Sequence, residues 1–217
     1  IHSGGGTIGA MDGHAPGAIL RRIDPPPPRP YRMAFPPAHM LIGAGLAELA
    51  RAGMVHPPPR RYVWAVAAVL AAAPDGDIIL GILLGRGGSL HGTFTHSVAA
   101  AAIVALVAYA AGGWRWAVIA GIGYASHLLV DLLDESGPTN LMLGWPFSGA
   151  RPYSLGKLFP KVPVEGDGMV DTALNVLRPE SLLNLVIQTG MAAAIFGALV
   201  LMSRGGRGMR GRGRRTP

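Results

Sequence analysis

Ionisable residues in this chain interrupt a succession of apolar, alanine- and glycine-rich runs. Segment 39–52 is short and amphipathic, and 53–61 breaks it with three consecutive prolines. Segment 62–73 is apolar until Pro74-Asp75-Gly76-Asp77 stops it, and 78–84 is another short apolar piece. After a loop over 85–95, segment 97–111 carries no charge and ends at Gly112-Gly113. Segment 114–133 is apolar except for Arg115 at one end and His127 and Asp131 near the other. Segment 182–202 has no charge at all and reaches the ~20 residues needed to cross a hydrocarbon core. The pattern predicts an all-α integral membrane helical bundle with about three to four membrane-embedded helices. The clearest span is 182–202, the pair 97–111 and 114–133 forms an embedded hairpin, and 39–52 and 62–84 are interfacial or partly inserted.

Composition sharpens this picture. Half of the 217 residues are apolar and 14% are charged, against roughly 25% for a soluble domain, which argues against a conventional water-soluble enzyme. There is no cysteine, which excludes a disulfide scaffold. The net charge of +7 is carried mostly by a tail, since Arg204, Arg207, Arg210, Arg212, Arg214 and Arg215 follow directly on the last apolar run. That is the flank expected on the cytoplasmic side of a span. The tail lacks aromatic residues to stack on bases, so a nucleic-acid partner is not expected. Residues 1–37, with Gly4-Gly5-Gly6 and Pro25-Pro26-Pro27-Pro28, read as an unstructured spacer. The domain reading is therefore a disordered segment 1–37, a membrane helical domain 38–203 and a disordered basic tail 204–217.

Within a greasy bundle the informative residues are those that are costly to bury unpaired. Between 38 and 133 they are His39, Glu48, His56, Asp75, Asp77, His91, His96, His127 and Asp131. If 97–111 and 114–131 form an antiparallel hairpin, a rise of about 1.5 Å per residue puts His96 and Asp131 each about 25 Å from the turn, with His127 about 20 Å away. His39 and Asp75 sit at a similar height in the preceding hairpin. Several imidazoles and carboxylates thus share one level. Glu48 and Arg51 are spaced as a surface ion pair, and His56 lies at the opposite end.

His127 and Asp131 are four residues apart and project from one helical face, where they can chelate one divalent cation. Asp75 and Asp77 flank a glycine on a tight turn and offer hard oxygen donors. Thr93 and Thr95 are candidate caps for the helix that begins near His96. A mixed His/Asp set favours Zn²⁺, with Mn²⁺ or Fe²⁺ as alternatives.

The ordered series AHMLIG (38–43), APDGD (73–77), HGTFTHS (91–97), SHLLVDLL (126–133) and GWPFSG (144–149) resembles the YdjM-type, LexA-regulated family of bacterial membrane-bound metal-dependent hydrolases. The resemblance covers roughly residues 38–160. It implies a multi-pass inner-membrane helical protein with His39, Asp75, Asp77, His91, His96, His127 and Asp131 at the metal site. The spacing of His127 and Asp131 is also similar to that in zinc-dependent phospholipase C and P1-type nucleases, which implies phosphoester chemistry. The chain departs from the family pattern at Ala38, where Thr is usual, and at Gly92, where Arg is usual. Asp134 and Glu135 stand near the place of a Thr common in the family.

The expected function is thus a membrane-bound metal-dependent hydrolase acting on a phosphoester or lipid-like substrate at the bilayer surface. His39, Asp77, His96, His127 and Asp131 are expected to hold the metal. Asp75 is expected to bridge metals or act as base, and His91 to act as a further ligand or as acid. Trp145-Pro146-Phe147 is expected at the interface, shaping the entrance, and 150–181 as an extramembrane loop. The rival reading is a non-enzymatic metal-binding protein, or a cation or proton transporter using the same cluster.

Overall fold

A computed structural model describes residues 31–33, 35–85, 90–134, 139–160, 162–164 and 174–212. Among the described residues, six helices of eight residues or more carry the fold. Helix α1 (Pro36–Ala52) opens with two prolines, which a first helical turn accepts because its N–H groups have no intrahelical partner. Helix α2 (Arg60–Ala72) begins just after Pro57-Pro58-Pro59 and ends short of Pro74. Helix α3 (Gly76–Leu83) is short and apolar beyond Asp77. A 3₁₀ turn over Phe94–His96 leads into α4 (Val98–Gly112), whose first turn is capped by the Ser97 hydroxyl accepting from the Ala100 N–H at 3.0 Å. Gly113 then takes φ +79°, a conformation that favours glycine, and turns the chain directly into α5 (Trp114–Leu132). Helix α6 (Pro179–Arg212) is the longest.

Helix α1 is central and packs against α2, α5 and α6, while α2 also packs on α5 and α4 lies on α5. Close approach is built from small residues. A β-carbon on Gly123 of α5 would meet the Ala67 backbone of α2 at 2.9 Å, and one on Gly43 of α1 would meet the Ala71 β-carbon at 2.6 Å. Such contacts let helices pack backbone to backbone, as is common in membrane bundles. One buried cluster gathers Ala47, Val63, Ala67 and Ile119, and a second gathers Ala38, Ile42, Val130, Phe159 and Ala192.

Glu48 is fully buried, so the ion pair expected on the surface lies inside. Its carboxylate accepts from Arg51 at 2.7 and 3.0 Å and from Arg60 at 2.8 and 3.1 Å. Trp64 Nε1 and Ser203 Oγ donate to it as well, each at 3.3 Å. Helices α2 and α6 cover the pair, which sequence spacing along α1 alone could not reveal. The network ties three helices together at the end of the bundle that carries Arg60 and Arg115.

Among the described residues one helix, over Pro179–Gly205, is long and apolar enough to cross a membrane. Helix α4 is apolar but has 15 residues, and α5 has 19 residues interrupted by Arg115, His127 and Asp131. Outward positions are nonetheless apolar, including Ile103, Leu106 and Val107 on α4 and Val186, Leu201 and Met202 on α6. Helix α6 runs past the expected tail boundary to Arg212, because a formed helix propagates readily and no proline interrupts it after Pro179 until Pro217.

Four three-residue strands stand beside the helices. Strand β1 (Tyr31–Met33) pairs antiparallel with β4 (Val162–Val164), and β2 (Thr139–Leu141) with β3 (Arg151–Tyr153). The first strand falls in the segment expected to be unstructured, while residues 1–30 lie outside the described residues. The 150–181 stretch does more than connect. Leu155 N–H donates to the Leu132 carbonyl and Phe159 N–H to that of Leu133, which satisfies carbonyls left open where α5 ends.

Candidate metal centre

Four separate pieces of chain bring ionisable side chains to one end of the bundle. His39 sits on the first turns of α1, and Asp75 occupies the turn between α2 and α3. Asp77 begins α3, His91 and His96 flank the 3₁₀ turn before α4, and His127 and Asp131 occupy the last two turns of α5. The α2–α5 contact at Gly123 sets the depth of His127, one turn further on, beside the end of α2.

The donor atoms converge. His96 Nε2 and His127 Nε2 are 3.1 Å apart. Asp131 Oδ2 lies 3.3 Å from His127 Nε2 and 3.6 Å from His96 Nε2. Asp75 Oδ1 lies 3.5 Å from His127 Nε2 and 3.9 Å from His96 Nε2. Donors around one tetrahedral zinc stand about 3.3 Å apart for bonds of roughly 2.0–2.1 Å, so these separations suit a single ion. His39 Nε2 approaches Asp131 Oδ1 at 3.6 Å, and its ring stacks on that of His127 with centroids 4.0 Å apart. Two neighbouring sets of potential ligands result, His39 with His127 and Asp131, and Asp75 with His91 and His96.

The hydrogen bonds around this set fix which ring nitrogens point inward. His127 Nδ1 donates to the Ala71 carbonyl at 2.7 Å, which turns Nε2 toward the other side chains of the cluster. His96 Nδ1 lies 3.2 Å from Asp77 Oδ2 and 3.0 Å from Thr95 Oγ1, which again leaves Nε2 as the free donor atom. Two imidazole nitrogens facing each other at 3.1 Å need a cation or a proton between them.

Asp75 makes the same demand from the oxygen side. Asp75 is 9% exposed, and among the described residues neither carboxylate oxygen has a hydrogen-bond donor. Burial pushes its carboxyl above the ordinary carboxylate range; His127 opposes this, and the neighbouring Asp131 adds to it. Asp77 behaves differently. Burial raises it too, but hydrogen bonds from His91, His96 and Thr95 outweigh burial and hold it well below that range. Its oxygens are occupied by His91 Nδ1 at 3.2 Å, His96 Nδ1 at 3.2 Å and Thr95 Oγ1 at 2.6 Å. Asp77 therefore lies one layer out from the converging donors.

His39, His96 and His127 are fully buried, and the exposure left to the cluster is at Asp75, His91 and Asp131. The His91–His96 loop is held by the 139–148 segment, with Met142 N–H on the Gly92 carbonyl and Val98 N–H on the Leu143 carbonyl, both at 3.0 Å. Gly92 has φ +77°, a conformation that favours glycine. Phe94, half exposed, packs on Trp145 with ring centroids 6.1 Å apart, and Phe147 projects almost entirely into the surroundings.

A family model described as YdjM inner membrane protein matches residues 33–205. The chain belongs to this family. It is accordingly an inner-membrane protein associated with the lipid bilayer, with buried His/Asp groups able to hold a metal ion. No curated protein and no solved structure matches the chain.

All seven residues that the resemblance to the YdjM family singled out, namely His39, Asp75, Asp77, His91, His96, His127 and Asp131, fall within this one neighbourhood. Two supporting side chains went unrecognised. Thr95, considered as a helix cap, instead donates to Asp77, and Ser97 takes the capping role. Tyr124 donates to the Thr95 carbonyl at 2.8 Å; its position three residues before His127 was the available clue.

Proposed function

We propose that this YdjM-family protein is a metal-dependent hydrolase of the phosphoester type, working at the membrane surface. The observation that carries the reading is the approach of His96 Nε2 and His127 Nε2 to 3.1 Å beside the carboxylate of Asp75, which takes no hydrogen bond from the described residues. That donor set fits a divalent cation, with Zn²⁺ favoured and Mn²⁺ or Fe²⁺ as alternatives. In this reading His96, His127, Asp75 and Asp131 hold the ion, and His39 supports Asp131 or joins a second site. Such an ion supplies Lewis-acid polarisation and an activated water for hydrolysis.

The chain's own residues do the rest. Asp77 moves from the expected ligand role to an orienting one, fixing the Nδ1 protons of His96 and His91. His91, the most exposed imidazole of the group, is placed to hold or deliver a proton at the opening. Asp75 takes the ligand place first expected of Asp77.

The cluster lies at the end of the bundle, on the first turns of α1 and the last turns of α5, and not midway along the helices. That position supports hydrolysis at an interface over passage of an ion or proton across the bilayer. The embedded α4–α5 hairpin, with α6 as the main span and the arginine tail on the cytoplasmic side, remains part of the same proposal. The outward apolar surface of α4 supports it.

The test is elemental analysis of the purified protein in detergent, followed by a screen of phosphoester and phospholipid substrates. Stoichiometric zinc, manganese or iron with metal-dependent turnover is expected. A well-folded preparation that cannot be loaded with any of the three would overturn the reading.

A further inference from the structure

Positive charge gathers at the end of the bundle remote from the His/Asp cluster. Arg51 lies in the last turn of α1 and Arg60 opens α2, and both donate to the buried Glu48 carboxylate. Ser203 Oγ reaches the same carboxylate, which brings Arg204 of α6 to this end. Arg115 lies in the first turn of α5, and its Nε donates at 3.1 Å to the carbonyl of Val55, in the connection that leads into Arg60 and Arg61. Four helices thus set five arginines at one end. Glu48 offers them a single negative charge. The other described carboxylates, Asp75, Asp77, Asp131, Asp134 and Glu180, lie at or toward the cluster end.

Arg61 is exposed and Arg115 partly so, and among the described residues neither has a carboxylate partner. The Arg61 guanidinium lies 4.8 Å from the centre of the Tyr62 ring, and that of Arg115 lies 5.3 Å from the Trp114 ring. Both rings are 50% exposed. Each guanidinium commits one of its five N–H groups to a neutral acceptor, the Tyr62 hydroxyl or the Val55 carbonyl. Exposed Tyr and Trp rings beside uncompensated arginines suit the boundary between acyl chains and headgroups, where the ring body meets hydrocarbon and the cation meets phosphate.

We propose that this end of the bundle binds the headgroups of anionic phospholipids, with Arg61 and Arg115 making the contact. The chain belongs to an inner-membrane family, so headgroup phosphates are at hand. A zwitterionic lipid carries its own compensating ammonium, so surplus positive charge selects lipids of net negative charge. The attraction is electrostatic and owes nothing to burial of acyl chains. It is also independent of the metal site, which lies at the other end.

The test uses the full chain in detergent micelles holding equal amounts of dioleoylphosphatidylglycerol and dioleoylphosphatidylcholine. These lipids share acyl chains, so the ratio that co-elutes with the protein on gel filtration reads the headgroup alone. The native chain is expected to enrich phosphatidylglycerol at least about fivefold at about 50 mM salt, and about twofold or less at about 0.5 M. Arg61→Gln/Arg115→Gln should fall to about twofold or less at low salt, while Arg61→Lys/Arg115→Lys keeps most of the enrichment. Arg151→Gln/Lys157→Gln removes the same charge from exposed positions toward the cluster end and should match the native chain. No enrichment by the native chain overturns the proposal without recourse to any variant. So does full enrichment in Arg61→Gln/Arg115→Gln, or an equal loss in Arg151→Gln/Lys157→Gln, which would make the effect one of net charge. Capture of oligouridine RNA by the native chain, lost in Arg61→Gln/Arg115→Gln while the lipid ratio stays put, would overturn it too.

Discussion

His127 Nε2 faces His96 Nε2 at 3.1 Å, while the Nδ1 of each ring is engaged elsewhere, by the Ala71 carbonyl and by Asp77 respectively. A contact of this kind is stable when something positive lies between the two nitrogens. His127→Ala and His96→Ala should therefore each lose most bound metal. Metal per protein after gel filtration in detergent measures this, and full occupancy in both variants would remove the pair from the site.

Asp77 hydrogen-bonds to the rings of His91 and His96 and so acts on the ion through them. Asp77→Asn keeps the shape and removes the charge. It is expected to weaken zinc affinity by about 10–100-fold, the usual loss when a partner behind a metal-binding histidine is changed. Competition with a chromophoric chelator measures the affinity. Loss of every bound ion in Asp77→Asn, with the bundle still folded, would return Asp77 to the ligand set.

Glu48 presents a separate case, far from the cluster. Its buried carboxylate holds Arg51 and Arg60, and removing that charge leaves the Arg51 guanidinium buried without its counter-charge. Glu48→Gln should cost about 3–5 kcal/mol of stability, as broken buried ion pairs do. Thermal unfolding in detergent should show a clearly lowered midpoint. An unchanged midpoint would mean that the network contributes nothing net.

The helices and the level of the cluster were legible from the chain because both depend on local rules. Apolar runs bounded by Pro74, Gly113 and the proline triplet marked α1 to α5, and a constant rise per residue placed His96, His127 and Asp131 together. Division of labour inside the cluster was not legible. Asp75 and Asp77 are the same residue type two positions apart, and only the contacts that His91, Thr95 and His96 make with Asp77 in the folded chain tell them apart. The burial of Glu48 was hidden for a similar reason: the residues that cover it, Trp64 and Ser203, are 16 and 155 positions away. The short strands escaped because three-residue pairings carry too little pattern to stand out from loop.

Metal removal gives a prediction that separates architecture from chemistry. An ion that binds the folded chain and not the unfolded one raises stability by about 2.7 kcal/mol when its free concentration is a hundred times its dissociation constant. Chelation should therefore lower the unfolding midpoint of the native chain, and readdition of zinc should restore it. His127→Ala should start at a lower midpoint and respond little to either treatment, because the gain from binding is already lost. Glu48→Gln should start low yet keep its full response to chelator, since its defect lies at the other end of the bundle. Equal chelator responses in the native chain and His127→Ala would mean that the ion acts elsewhere on the protein, and the cluster would then be a purely structural knot of histidines and carboxylates.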